Sequence, residues 1–144
     1  MSRQEDRSMT NHVTVFRVRY AETDQMGIAH HGTYLTWFEM GRSGLCRDWG
    51  KPYARWEAEG IFLPVVEASC RYKSPARYDE ELALHTQVEQ VKPHSVTFRY
   101  RLFCGGRLLA EGRTRHAFTD PEGRLIRQGH PLIQWLRERS AEGL

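Results

Sequence analysis

The stretch Tyr20-Ala-Glu-Thr-Asp24-Gln-Met-Gly27-Ile-Ala-His30-His31-Gly32-Thr33-Tyr34 lies between two different periodicities. Before it, Phe16, Val18 and Tyr20 alternate with Arg17 and Arg19, which predicts a strand over Val13–Tyr20. After it, Tyr34, Phe38, Gly41 and Leu45 recur at helical spacing, which predicts a long helix over residues 33–48, ended by Gly50-Lys-Pro52. The stretch is therefore a strand-to-helix loop, Ala21 to Thr33, with Thr33 as the expected N-cap.

Beyond the long helix, a short helical piece over Tyr53–Glu59 stops at Gly60. Four alternating runs follow, over residues 66–73, 82–89, 96–102 and 108–119. Pro75 with Arg77 to Glu81, Lys92-Pro93-His94 and Gly105-Gly106 read as the turns between them. A last helix is expected over His130–Arg139, carrying Leu132, Trp135 and Leu136. One early helix and a run of hairpins is an α+β layout, a five-stranded antiparallel sheet packed on one long central helix. Residues 1–12 read as a loose tail and 13–144 as a single domain. One helix cannot cover such a sheet, so an exposed edge or face predicts self-association.

Composition narrows the function. Of 144 residues, 40% are hydrophobic and 27% charged, enough apolar content for a core. The longest apolar run, Ile61 to Val66, is broken by Pro64, so no membrane span is expected. Met1 to Thr10 is polar and carries no apolar export segment. The net charge of +3 is spread along the chain with no block of like charge, which argues against a nucleic-acid partner. The basic residues are Arg except for Lys51, Lys73 and Lys92, and Arg suits an anionic small molecule. Cys46, Cys70 and Cys104 are odd in number and widely spaced, which predicts small buried thiols in a reducing, cytoplasmic setting, with neither disulfide nor zinc.

The loop concentrates chemistry. With its flanking Tyr20 and Tyr34 it holds two acids, two His, two Gly and two Tyr, and it ends where a helix begins. The first amides of a helix lack intrahelical acceptors and sit at the positive end of the dipole, a place for a carbonyl oxygen gaining negative charge. Gly32 lets a substrate approach the backbone closely. Asp24 adds a carboxylate, so the loop has the minimum for acyl transfer, although an isolated loop Asp also fits a plain Asx turn. Adjacent His30 and His31 point apart on an extended chain and have no ligand spacing around them, so no metal is expected.

The residues Tyr20, Asp24, Gly27, His31, Thr33-Tyr34 and Trp37-Phe38-Glu39 resemble the signature of the 4-hydroxybenzoyl-CoA thioesterase family of hotdog-fold proteins. The likeness is nearest to the short-chain acyl-CoA thioesterase branch associated with the bacterial Tol-Pal system. It continues through residues 65–80, with Arg71-Tyr72 and Pro75-Ala-Arg77, and through residues 110–116. Met26, His30 and Thr33 depart from the family's usual Gly, Tyr and Asn.

The resemblance implies a hotdog fold, in which the sheet wraps the central helix. It also implies hydrolysis of an acyl-CoA thioester to free acid and CoA without a cofactor. Asp24 would be the catalytic carboxylate, as nucleophile or as general base. His31 and Tyr20 would orient it or the water, and amides of Gly32, Thr33 and Tyr34 would bind the thioester oxygen. Arg71, Lys73 and Arg77, with Arg99 and Arg101, are candidates for the CoA phosphates. Trp37, Met26 and Ile28 are candidates for the acyl pocket. Glu39 is a second carboxylate candidate, or the i,i+3 partner of Arg42. Two chains would join sheets as a homodimer and pair again as a homotetramer. The alternatives on the same fold are a non-hydrolytic acyl-CoA or acyl-carrier-protein binder and a dehydratase.

Overall fold

The computed structural model describes residues 10–126 and 129–142. Strands β1 (His12–Arg17), β2 (Val65–Tyr72), β3 (Glu81–Val91), β4 (Ser95–Cys104) and β5 (Arg107–Ala117) form one antiparallel sheet. Helices α1 (Thr33–Asp48), α2 (Tyr53–Ala58) and α3 (Pro131–Glu142) complete the fold. This is the expected α+β architecture. Among the described residues no helix is long and apolar enough to cross a membrane.

The sheet wraps α1 because the alternating residues turn one apolar face toward the helix. Leu82, Leu84, Phe98, Tyr100, Leu102 and Leu109 meet Trp37, Phe38, Leu45 and Cys46 in a fully buried core. Phe38 stacks on Tyr100 at 4.2 Å. The helix lies close to β3 at Gly41, where a Cβ would reach within 2.7 Å of Leu84 Cδ2.

The strand order differs from the expected run of hairpins. It is β1-β3-β4-β5-β2, so β2 pairs with β5 and β3 takes β1 as its second neighbour. The segment from Lys73 to Glu80 is therefore not a turn but a connection between distant parts of the sheet. It is held by Leu109, whose carbonyl accepts the Lys73 amide, and by Val18, whose carbonyl accepts the Asp79 amide. Alternation reveals which residues face the core but not which strands are neighbours.

Both ends of β1 also move. Thr10 to His12, read as tail, are bound to the sheet: the Asn11 amide donates to the Thr86 carbonyl, and Asn11 Oδ1 accepts the Val88 amide. The strand stops at Arg17, and Tyr20 lies in a 3-10 turn over Tyr20–Glu22. The inward residues of the strand are His12, Thr14 and Phe16, while Val13 and Val15 are exposed. Strand β2 is exposed on both faces except at half-buried Cys70, because it is an edge strand beyond the helix's cover. Cys46 alone of the three thiols is buried, and all three are free.

One buried polar chain crosses the core. His116 Nδ1 lies 2.9 Å from the Leu63 carbonyl, which can only accept, so Nδ1 carries the hydrogen. In the neutral ring Nε2 then accepts from Thr114 Oγ1 at 2.9 Å. Tyr100 donates to Thr114 at 2.6 Å, and Arg42 donates to Tyr100 at 3.4 Å. Burial pushes the His116 pKa down from 6.5 to about 4. Above pH 6.5 neither folded nor unfolded chain holds this proton and stability is full. As the pH falls from 6.5 to 4, the unfolded chain takes up a proton that the folded chain refuses. About 3 kcal/mol of stability should be lost across that window. Thermal unfolding of the native chain and of His116→Gln at several pH values checks this. Parallel loss in both would remove His116 as the cause.

Candidate active site

Asp24 sits at the tip of the strand-to-helix loop, exposed to solvent. Its Oδ1 accepts the amides of Met26 (2.8 Å) and Ile28 (3.2 Å). The Asp24 amide donates to the Ile28 carbonyl and its carbonyl accepts from Gly27, whose φ of 74° closes the turn. This is an Asx-type turn, and it leaves Oδ2 without a partner among the described residues. The Ile28 and Met26 amides, and more weakly the neighbouring His30 ring, hold the Asp24 carboxyl below its usual range. The group is an ionised carboxylate at neutral pH.

The loop is fastened from below by a residue that the sequence reading passed over. Glu22 is buried, and its carboxylate accepts from the Trp37 indole (2.9 Å), the Arg19 amide (2.8 Å) and the Arg19 guanidinium (3.4 Å). Burial alone would raise its pKa, but these three donors outweigh it and lower it. The Glu22 carbonyl also accepts the His30 amide, so one residue ties both limbs of the loop to α1. An acid between Arg19 and the apolar face of the helix was the available signal. Glu22→Gln keeps the shape and removes the charge, and it should cost about 1–2 kcal/mol in denaturant unfolding. An unchanged midpoint would show that the charge does not matter.

From the far side the β2–β3 connection supports the same loop. The Ala76 carbonyl accepts the Ala29 amide, the Gly27 carbonyl accepts the Tyr78 amide, and the Ala76 amide donates to Tyr34 Oη at 3.3 Å. Between loop, helix and connection opens a cleft of about 290 Å³ lined by Ile28, His31, Tyr34, Tyr72, Lys73 and Pro75. Asp24 does not itself line the cleft, but it binds the amide of Ile28, which does.

The helix N-terminus is not capped as expected. Gly32 is the N-cap and Thr33 the first helical residue, with no side-chain cap. The Thr33 amide donates to the His30 carbonyl at 3.0 Å, and those of Tyr34 and Leu35 make longer bonds to His31 and Gly32. The amides of His31 and Gly32 donate to nothing among the described residues. Of the three expected amides only that of Gly32 is free, and the second free donor is His31, because the chain enters the helix through a tight turn that occupies the Thr33 and Tyr34 amides. Tyr72, at the end of β2, donates its hydroxyl to the His31 carbonyl at 2.7 Å, a contact with no sequence signal.

The other candidates divide. His31 and Tyr34 line the cleft with Lys73. The Tyr20 ring turns away to meet Tyr78 edge-on at 5.6 Å, and neither it nor the His31 ring bonds Asp24. His30, not His31, acts on the Asp24 carboxyl electrostatically. Arg71 points to the opposite face of β2 from Tyr72, into a groove with Arg99, Glu111 and Arg113. Lys73 approaches Glu111 at 3.9 Å, and Arg77 donates its backbone amide to Glu80 Oε1 at 2.7 Å while its guanidinium forms no ion pair among the described residues. Arg101 is buried against Thr10 and is unavailable to a phosphate. Trp37 is wholly buried, committed to Glu22 and to the Phe16 and Tyr34 rings, so it is core rather than pocket wall. Met26 is exposed at the loop tip. Glu39 forms no ion pair with Arg42, which turns inward to Tyr100, and it lies in a separate groove beside β1. No cluster of three metal-ligating side chains occurs among the described residues.

Comparisons with known proteins bear on the family and the fold. The sequence profile of the thioesterase superfamily matches residues 26–111. YneP of Bacillus subtilis (strain 168) is 39% identical over 106 residues, which cover 73% of this chain and 77% of that one. The acyl-CoA thioester hydrolase YbgC of Escherichia coli O6:H1 is 27% identical over 106 residues, 73% of this chain and 79% of its own. The crystal structure of DHNA-CoA thioesterase from Staphylococcus aureus superposes with a TM-score of 0.82 at 32% identity, covering 91% of this chain and 89% of that one. A helix wrapped by this five-stranded sheet, a profile match across more than half the chain and relatives aligned over most of their length lead to one conclusion: the chain belongs to the thioesterase superfamily and has its hotdog fold.

Proposed function

We propose that this protein hydrolyses an acyl-CoA thioester to a free carboxylic acid and CoA, with Asp24 as the catalytic carboxylate. The observation that carries the reading is an ionised, solvent-exposed Asp24 whose turn ends at Ile28, on the wall of a cleft that His31 also lines, with the His31 and Gly32 amides donating to nothing among the described residues. Superfamily membership and relatives named as acyl-CoA hydrolases support the reaction class.

Two routes fit. As general base, Asp24 takes a proton from water while the water oxygen attacks the thioester carbon. As nucleophile, its Oδ2 attacks that carbon directly and water cleaves the resulting anhydride. In both, the carbonyl oxygen becomes an oxyanion received by the His31 and Gly32 amides. The C–S bond then breaks and CoA departs as a thiolate, which needs little acid assistance. Ile28, Tyr34 and Pro75 offer the acyl group an apolar wall, and Lys73 and Arg77 stand where a phosphate-bearing tail would emerge. Arg71 would serve the tail only along the outer face of the sheet.

A homodimer completes the reading. β2 has one unpaired edge, and Val65 and Val66 on it are about half exposed. Pairing that edge with a second copy would continue the sheet, and dimers can associate again into a tetramer.

Thiol release from short, medium, long and aromatic acyl-CoAs tests the function, with Asp24→Asn alongside. Asp24-dependent release supports the reading, and the best substrate gives the acyl class. Tight acyl-CoA binding without release would assign a non-hydrolytic binder instead.

A further inference from the structure

We propose that Tyr72 is a positioning residue: its hydroxyl holds the His31–Gly32 peptide so that the amide on that peptide faces the thioester oxygen. The inference rests on the hydrolase reading above.

The peptide ahead of α1 is poorly fixed by its own chain. Gly32 is exposed, and a Cβ built on it would meet nothing within 4 Å, so no packing holds it in place. The His31 carbonyl receives from the Tyr34 amide only a long 3.4 Å contact. The strong restraint on that carbonyl comes from another element. Tyr72 Oη donates to it at 2.7 Å from the last residue of β2.

A trans peptide is planar, with its C=O and N–H pointing in opposite directions. Fixing the His31 carbonyl toward Tyr72 therefore fixes the Gly32 N–H away from it, where it donates to nothing among the described residues. Donors aimed in advance at the place where charge develops need no rearrangement during reaction. Without the Tyr72 hydroxyl, rotation about the Gly32 backbone meets little resistance.

Tyr72 is built to hold its place. Its ring sits edge-on to Tyr34 at 4.8 Å, and the Tyr34 hydroxyl accepts the Ala76 amide. Burial first, and then Cys70, push its pKa up to about 12, so the hydroxyl keeps its proton and stays a donor at any working pH. A half-exposed side chain bonded to an exposed carbonyl contributes little to global stability, so effects on turnover and on folding can be separated.

Tyr72→Phe removes the hydroxyl and keeps the ring. With the best acyl-CoA, kcat should fall about 10- to 100-fold while KM stays within about twofold. In 15N-labelled protein the Gly32 amide should broaden or exchange faster with solvent, a change that lost ring packing alone would not produce. Tyr72→Leu takes its place if the Phe variant fails to fold. Native kcat in a folded variant that lacks the hydroxyl, with Asp24→Asn inactive, would overturn the role of Tyr72 and leave the hydrolase reading intact. A rise in KM at constant kcat would make Tyr72 a substrate contact and also overturn the proposal. Absence of thiol release from the native protein with every acyl-CoA would overturn the hydrolase reading and this inference with it.

Discussion

Asp24→Asn is expected to lower kcat by about 10³-fold, the scale on which a positioned carboxylate acts in proton transfer. The substitution is unusually clean here. An asparagine carbonyl oxygen can still accept the Met26 and Ile28 amides that Oδ1 accepts now, so the turn survives while charge and basicity are lost. Far-ultraviolet circular dichroism and the melting temperature should stay close to native. Asp24→Ala, which removes the turn acceptor too, should disturb the loop as well. The pH dependence has a definite sign. The ionised form is active and its pKa is lowered, so the acid limb due to Asp24 should lie below the ordinary aspartate range. An acid limb above about pH 5 would have to belong to another group. Full turnover by the Asn variant would remove Asp24 from the reaction and make Glu39→Gln the next test. Because Glu39 opens into the groove beside β1 rather than the cleft, that variant should keep its activity.

The second large effect concerns the fold that holds the site. Gly112 on β5 lies opposite Cys70 of β2 and Tyr100 of β4. A Cβ there would collide with the Ser69 backbone carbonyl and approach the Phe38 ring at 2.6 Å. Neither neighbour can give way cheaply. The carbonyl belongs to the β2–β5 pair, and Phe38 is fully buried and stacked on Tyr100. Gly112→Ala should therefore cost about 3 kcal/mol or more, at the upper end of what overpacking does. Denaturant unfolding measures it, and a loss under about 1 kcal/mol would show that the strands separate easily. Because β2 carries Tyr72 and leads into the connection that supports the loop, activity should fall along with stability.

These effects separate what was legible in the sequence from what was not. By itself the sequence determined the α+β class, the long helix and the strands, because a period of 2 or 3.6 records which side of an element is apolar. It also marked residues 20–34 as the candidate site, since acids, histidines and glycines cluster there between two periodicities. Only the tertiary structure decided that β2 pairs with β5. Strand neighbours are set by long-range backbone bonding, and alternation is the same whichever partner is chosen. The tertiary structure alone also put Trp37 in the core, Arg101 beneath Thr10 and Tyr20 against Tyr78. Each of these side chains is assigned by what lies over it, and that comes from distant parts of the chain. Glu22 and Tyr72 show this most plainly. One is an acid in a loop and the other a strand-end tyrosine, and each makes a bond to a distant residue, Glu22 to Trp37 and Tyr72 to His31, that exists only because folding brings the two together.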